Sequence, residues 1–433
     1  MKPRRLLRTL VRAAAFPIDI ALALPWLALG LLVALLARVR PRPRRRRAVF
    51  LVPGADLASM RKKFGSLEPF LDDALGGYFE RVHRYLYRDT VARTLQLRED
   101  FVVHATRVPL RVLELTYHAR LAVEIAWRAW RESIAVLHAK DPYFCGLVIW
   151  LAAGLSRTPA SVSIHSDYDK WHAELGEAPT LLGSRALAKR LERFVLSRAS
   201  LVMPISHYLA RAAIGNGASA DRVRVAPHGV DFAALAAQAP GDVRERCGVD
   251  PAAPLVTFVG RLSPEKYAAD ALECGLRLTR LHPNVVVVLA GDGPLRDELR
   301  ARRDRGGPGA ERIRMLGFQP RETCFAILQQ SRVALCLLSG FSLIEAMAAG
   351  AVPVVYDMEW HGELIDDGVT GLMVRPGDVD ALAAAVLGLL EDHDRARAIG
   401  VRARRRALER YDAAVAVATK RACYEELESR GAA

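Results

Sequence analysis

With 433 residues, 51% of them apolar and 25% charged, the chain is too long for one ordinary core and has material for two. Its formal charge of +14 is concentrated in residues 1–47, where twelve lysines and arginines face Asp19 alone; +11 resides there and only +3 in all that follows. That excludes a basic nucleic-acid groove in the body and directs the N-terminal segment towards an anionic lipid surface. Six scattered cysteines, with no C-x-x-C pair and no His/Cys cluster, exclude a zinc site or disulfide framework and indicate a reducing compartment.

From Ile20 to Ala37 the chain runs 18 residues without a charge, close to the roughly 20 needed to span a bilayer core. Pro17, Asp19, Pro25 and the arginine tract that follows argue against a cleaved signal peptide. Both flanks are positive, and positive flanks stay in the cytoplasm. A single crossing leaves one flank outside; a re-entrant or interfacial helix kinked at Pro25 keeps both inside. The expectation is a membrane-associated protein with a cytoplasmic body, Arg40-Pro-Arg-Pro-Arg44 serving as an extended basic tether.

Ala48 to Val52 reads as a short buried strand, and Pro53-Gly54 as the turn at its carboxyl end. That is the first crevice of a doubly wound sheet, where Gly54 lets backbone approach a ligand closely. Phe64 to Leu97, amphipathic and rich in arginine, reads as helices over the sheet edge, and Val112 to His138 as one long helix. Asp141-Pro142 starts another helix, through Gly154. Pro159 introduces the strand Ala160 to Ile164, which ends in His165-Ser-Asp167-Tyr-Asp169. A polar cluster where a parallel strand ends is the expected address of an active site, a structural histidine being the plainer alternative. The D-x-D at 167–169 reads as a loop and not as a metal site. Ala233 to Asp250, with its Ala, Gly and Pro, reads as a linker.

Beyond it, apolar strands and helices alternate, which predicts a parallel sheet. Leu255 to Val259 leads into Gly260-Arg261-Leu262-Ser263-Pro264-Glu265-Lys266. Ser263 as N-cap with Pro264 at the first helical position is an ordinary helix start. It leaves Arg261 and Lys266 unexplained, and two cations around one helix N-terminus suit a diphosphate. Val285 to Leu289 and Ile313 to Gly317 are further strands; Gly291-Asp-Gly293 is the turn after the first, and Phe318 follows the second. Val333 to Leu338 then leads through Ser339-Gly340 to a helix over Leu343–Ala349, capped by Gly350. Ser342 and Glu345 have capping-box spacing; alternatively the turn aims free amides and a helix dipole at phosphate.

Val259-Gly260-Arg261-Leu262 with Lys266, and Glu345-Ala-Met-Ala-Ala-Gly350 with Pro353-Val354, resemble the phosphate clamp and donor motif of family-4 retaining glycosyltransferases, glycosyltransferase group 1. The resemblance implies an α/β chain of GT-B fold, two Rossmann-like domains facing across a cleft, here with an added N-terminal hydrophobic helix. The implied layout is an anchor at 1–47, an acceptor-side domain at 48–232, the linker at 233–250, a nucleotide-sugar domain at 251–412 and a C-terminal helix at 413–433 returning to the first domain. It further implies that Arg261 and Lys266 neutralise the leaving diphosphate, that Glu345 grips the ribose, and that Gly317 and Phe318 hold the base. Ser342 and Leu343 would offer amides, Gly54 would lie against the donor, and His165 would stand near the reacting sugar. The partners are a nucleotide-sugar donor, a glycan or lipid-linked acceptor and an anionic membrane, with no nucleic acid, metal or separate cofactor. The family carries another glutamate eight positions before Glu345, where this chain has Leu337. That departure keeps a non-catalytic nucleotide-sugar-binding scaffold as an alternative, beside a nucleotide-sugar 2-epimerase of the same fold.

Overall fold

The computed structural model describes residues 3–53, 75, 77–87, 89, 92–107, 113–175, 179–181, 184–239, 241, 243–246, 249–338 and 340–430. They form two compact units, one of Met1–Pro227 with Val417–Ala433, the other of His228–Ala416. Each unit is built around its own parallel sheet.

The first sheet has the order β3-β4-β2-β1-β5-β6-β7, with β1 Arg45–Pro53, β2 Arg81–Tyr87, β3 Arg93–Arg98, β4 Phe101–Ala105, β5 Ile134–Ala139, β6 Ala160–Ile164 and β7 Leu201–Pro204. β1 lies between β2 and β5, with Val49 opposite His83 on one side and Leu137 on the other. Every pairing is parallel except β3 on β4, and β3, at the edge, alternates between more and less exposed residues. An antiparallel edge strand on a parallel sheet tolerates such polar alternation because one face meets water.

Three sequence expectations change here. The stretch read as helices over Phe64–Leu97 contains β2 and most of β3; its residues 64–74 lie outside the described ones. The long helix expected over Val112–His138 stops at Arg131, and His138 belongs to buried strand β5. The segment read as a linker carries the helices Phe232–Gln238 and Val243–Arg246, while the units divide between Pro227 and His228.

The N-terminal helix, α1, covers Pro3–Val39 and passes through Pro17 and Pro25 without interruption. It packs on α2 (Glu114–Arg131) and α3 (Phe144–Ser156). Its inward residues are Asp19, Ala23, Trp26, Gly30, Val33 and Ala37, spaced four, three, four, three and four apart, the repeat of a helix–helix seam. A side chain at position 30 would sit 3.1 Å from Val123 and 3.2 Å from Leu155, so glycine brings the helices close. Asp19 is buried and acts as the N-cap that α2 lacks, since Leu113 offers no side-chain bond. Its carboxylate accepts from the amides of Leu115 at 2.8 Å and Thr116 at 2.9 Å, and from the Thr116 hydroxyl at 2.7 Å.

The basic tract is not a free tether. Arg42 donates to the carbonyl of Arg131 at 2.7 Å, Arg44 to that of Arg157 at 2.7 Å and Arg47 to that of Glu132 at 3.1 Å. Those carbonyls lie at the C-terminal ends of α2 and α3, where the helix dipole favours cations. Arg45 already belongs to the central strand β1.

A polar network crosses the first unit beside β2. His83 lies 2.9 Å from Glu132 and 3.0 Å from His104, and Arg128 donates to Glu132 at 2.9 Å and to the Tyr85 hydroxyl at 2.8 Å. The His83 hydrogen bond, reinforced by Arg128, holds the Glu132 carboxyl down at about 2; burial, assisted by Arg128, pushes His104 down to about 3. A depressed carboxylate contributes stability above its unfolded value near 4.5 that is lost as pH falls through 2. A histidine kept neutral penalises the folded state progressively below its unfolded value of 6.5. Both effects have one sign, so the urea midpoint falls on acidification, and Glu132→Gln flattens that slope; an unchanged slope would remove the network from the account.

In the second sheet the order is β10-β9-β8-β11-β12-β13, all parallel. Its strands are β8 Leu255–Val259, β9 Val286–Ala290, β10 Ile313–Gly317, β11 Val333–Leu335, β12 Val352–Tyr356 and β13 Leu372–Val374. The chain winds outward from β8 to β10, then returns to β8's other side as β11, so loops leaving β8 and β11 diverge at a topological switch point.

Candidate active site

At that switch point the loop after β8 continues almost as strand. Gly260 donates to Ala290 at 3.0 Å, Leu262 to Asp292 at 3.0 Å, and Leu295 returns a bond to Leu262 at 3.0 Å. Leu262 is buried and Arg261, pointing the opposite way, has its side chain 67% exposed. This ledge rests on Gly291 and Gly293: a Cβ at position 291 would lie 1.8 Å from the Gly260 carbonyl oxygen, and one at 293 would lie 2.3 Å from that of Leu262. What reads in the sequence as a routine turn is therefore the bed on which the Arg261 segment lies.

Ser263 caps only the short 3-10 turn Pro264–Lys266, and its hydroxyl donates to Glu265 at 2.6 Å rather than accepting from an amide. The long helix starts later, at Ala268, after Tyr267 in left-handed conformation at φ 53°. Burial lowers the pKa of Lys266, while Glu359 and Glu265 act to keep it charged. A partly desolvated ammonium is a stronger partner for a phosphate than a fully hydrated one.

The loop after β11 leads to the helix Phe341–Ala349, whose N-cap is Gly340. No side chain caps it, so the expected capping box between Ser342 and Glu345 does not form. Glu345 stands two positions beyond N3, is only 4% exposed, and accepts from Arg321 Nε at 2.7 Å. Burial raises its pKa and Arg321 opposes the rise. The Arg321 guanidinium also lies 5.5 Å from the centre of the Phe341 ring, which packs against His228 at 5.0 Å. Arg321 escaped the sequence reading because nothing in Pro320-Arg-Glu-Thr marks it; only the turn of its helix towards Glu345 does. Leu337, where the family has its other glutamate, is fully buried in the core of this unit. Ser339, in the loop after β11, lies outside the described residues.

Gly317 ends β10 in a left-handed conformation, φ 66°, and its carbonyl accepts from the Gly291 amide at 2.9 Å. Phe318 beyond it stands exposed, a free ring face at the same sheet edge. Arg261, Lys266, Gly317, Phe318, Ser342, Leu343 and Glu345 thus all stand at or beyond the carboxyl ends of β8, β10 or β11 within one unit.

In the first unit, Gly54 lies outside the described residues. His165 follows the carboxyl end of β6, its Nε2 2.8 Å from the Ser163 hydroxyl. Ser163 in turn lies 3.1 Å from His138, and His138 lies 2.8 Å from Ser161 and 3.4 Å from the Tyr424 hydroxyl. The sequence pattern gave no warning of this chain of polar groups, because it joins β5, β6 and the C-terminal helix. Asp167 accepts from the amides of Asp169 and Lys170 and from Tyr208, while Asp169 pairs with Arg185 and Lys189. The D-x-D, read in the sequence as a loop, is instead the start of the helix Tyr168–Leu175, with both carboxylates committed. Among the described residues no cluster of His, Cys, Asp or Glu is arranged to hold a metal.

Comparison with known proteins gives a consistent result. The family model described as Glycosyltransferase Family 4 matches residues 81–234, and that described as Glycosyl transferases group 1 matches 242–406. The chain is 26% identical to the alpha-D-kanosaminyltransferase of Streptomyces kanamyceticus over 70% of its own length and 83% of that protein's. It is 34% identical to the phosphatidyl-myo-inositol mannosyltransferase of Mycolicibacterium smegmatis, over 47% of this chain and 52% of the relative. Among solved structures, Anabaena HepE in complex with UDP superposes with a TM-score of 0.70 at 22% identity, covering 88% of this chain and 100% of that one. Sucrose-phosphate synthase from Thermosynechococcus elongatus does so at 0.69 and 18%, covering 89% and 100%. Two parallel α/β units matched in turn by these two models identify a transferase: the chain belongs to the group 1, family-4-type glycosyltransferases of GT-B fold.

Proposed function

We propose that this enzyme transfers a hexose, with retention of anomeric configuration, from a nucleoside-diphosphate sugar to a lipid-linked acceptor at the cytoplasmic face of a membrane. The observation that carries the reading is the meeting, at one switch point, of Arg261, Lys266 and the uncapped N-terminus of Phe341–Ala349 beside buried Glu345. The solved complexes of HepE with UDP and UDP-glucose, and a relative named as a phosphatidyl-myo-inositol mannosyltransferase, support the donor and acceptor classes. So does the exposed apolar surface of α1 for a membrane location.

In this mechanism the two cations and the helix amides neutralise the diphosphate as negative charge develops on it. Those groups do the work that a bound metal would otherwise do. Glu345, held by Arg321, accepts hydrogen bonds from the ribose hydroxyls, and Phe318 with the Gly317 backbone receives the base. The acceptor hydroxyl attacks from the face the diphosphate leaves, and His165, oriented by Ser163, polarises the reacting groups. Ser163→Ala is expected to lower kcat by about 10–100-fold through misorientation with little change in donor KM; loss of donor binding instead would make Ser163 structural.

A thermal-shift screen with UDP-, GDP- and ADP-sugars tests the reading directly. One base series should raise Tm, and adding a lipid-linked acceptor should then yield product with the donor's anomeric configuration. Binding without transfer would favour a scaffold, and an epimerised sugar without acceptor would favour the epimerase reading.

A further inference from the structure

We infer that α1 lies in the plane of an anionic bilayer surface while remaining fastened to the first unit, and does not cross the membrane. This rests on the membrane location proposed above and specifies its geometry.

Two clasps hold the helix along α2. At one end Asp19 caps the amides of Leu115 and Thr116. At the other, the Trp130 indole donates to the Arg40 carbonyl at 3.1 Å, and Arg42 both bonds Arg131 and lies 4.5 Å from the Trp130 ring centre. Between them Gly30 meets Val123, so the two helices run side by side and in the same direction for the length of α2. Were α1 to cross while docked, α2 would enter the hydrocarbon carrying Arg120, Glu124, Arg128 and Arg131, each strongly disfavoured there. Were α1 to undock and cross, the Asp19 carboxylate would be carried towards an apolar medium without its partners, and the N-terminus of α2 would lose its cap.

Between Ile20 and Leu36 the rest of the helix surface is apolar and largely exposed. Leu24, Leu27, Leu31 and Leu35 are 57%, 49%, 70% and 56% exposed, on the side away from the seam. No described residue of the first unit covers them. Trp127 is exposed beside Trp130, which contacts the Arg40 carbonyl and the Arg42 guanidinium; aromatic rings and guanidinium groups at an apolar border are the arrangement that headgroups accommodate. A second copy of the chain is a poor occupant, because pairing along this wall would bring two +11 segments together. Anionic lipid instead complements that charge. The Asp19 end of α1 also lies at the carboxyl edge of the first sheet, since α2 starts after β4 and ends before β5. His165 follows the carboxyl end of β6, so it and the Asp19 end of α1 lie at the same edge of the first sheet.

The test uses the full chain with nitroxide labels at Ile20→Cys, Leu24→Cys, Leu27→Cys, Leu31→Cys and Leu35→Cys, one at a time, on vesicles of phosphatidylcholine and phosphatidylglycerol. Collision rates with oxygen and with a water-soluble nickel complex should give one shallow depth for all five labels. A depth that passes through the bilayer midplane along the series would overturn the proposal in favour of a crossing. Label–label coupling in a lipid-independent dimer would overturn it in favour of self-association. Failure of the unlabelled protein to float with vesicles would instead sink the underlying membrane reading. As a second measurement, Leu24→Glu with Leu31→Glu should reduce vesicle binding at least tenfold without moving Tm, since both positions face outward.

Discussion

Lys266→Ala is expected to fold normally and to lose transfer activity by about 10²–10³-fold in kcat, the usual consequence of removing one preorganised group that stabilises transition-state charge. Folding should be spared because burial already disfavours this ammonium, so its removal relieves a desolvation cost. Arg261→Ala removes an exposed guanidinium that only loosely approaches Glu265, 3.9 Å away, and should cost less in the absence of donor than in its presence. Measurement of kcat and donor KM for both variants separates the roles: loss confined to KM would make the site a passive phosphate cradle. Unchanged turnover in Lys266→Ala would end the clamp assignment altogether.

Gly291→Ala should damage the same site without touching a single charged group. The added methyl would lie 1.8 Å from the Gly260 oxygen, a contact no rotamer can relieve because the methyl's place is fixed by its own backbone and the oxygen is backbone. The Gly260–Leu262 ledge must therefore shift, costing about 1–3 kcal/mol of stability and moving Arg261 off its line, with a fall in kcat/KM of roughly 10²-fold for an ångström of misplacement. Gly388→Ala is the matched control. It lies within the helix Val379–Glu391 with nothing near its Cβ, and should raise stability by about 0.5–1 kcal/mol while leaving turnover alone. Equal behaviour of the two variants in a denaturation series would show that the ledge can yield and that the turn is only a connection.

Much of the second unit could be read in advance because its signals are local. Continuous apolar runs such as Val286–Ala290 are the mark of strands buried on both faces, and the cations at Arg261 and Lys266 sit within one loop. The first unit was harder, for reasons visible in particular residues. β2 carries Arg81, His83 and Arg84 within seven residues, a pattern that resembles a solvated helix until β1 and β4 pair with it on either side. His138 looked like the end of a helix, and only the pairing of β5 with β1 and β6 puts it beside Ser161 and Ser163. Arg42 and Arg44 looked like a lipid tether because their acceptors, the carbonyls of Arg131 and Arg157, lie far away in the chain. Glu345 could be singled out in the sequence, but its partner Arg321 could not, 24 residues upstream on another helix. Contacts between distant segments are what a single sequence hides, and here they decide which charges are committed.

The docking of α1 bears on how the enzyme can be handled. Trimming residues 1–47 would cut into β1 at the centre of the first sheet and strip the cap from α2. Stopping short of β1 would still bare the groove around Val123 and Leu155 that Gly30 now fills. Repainting the outward leucines with polar side chains removes the exposed apolar surface while keeping the seam and its cap.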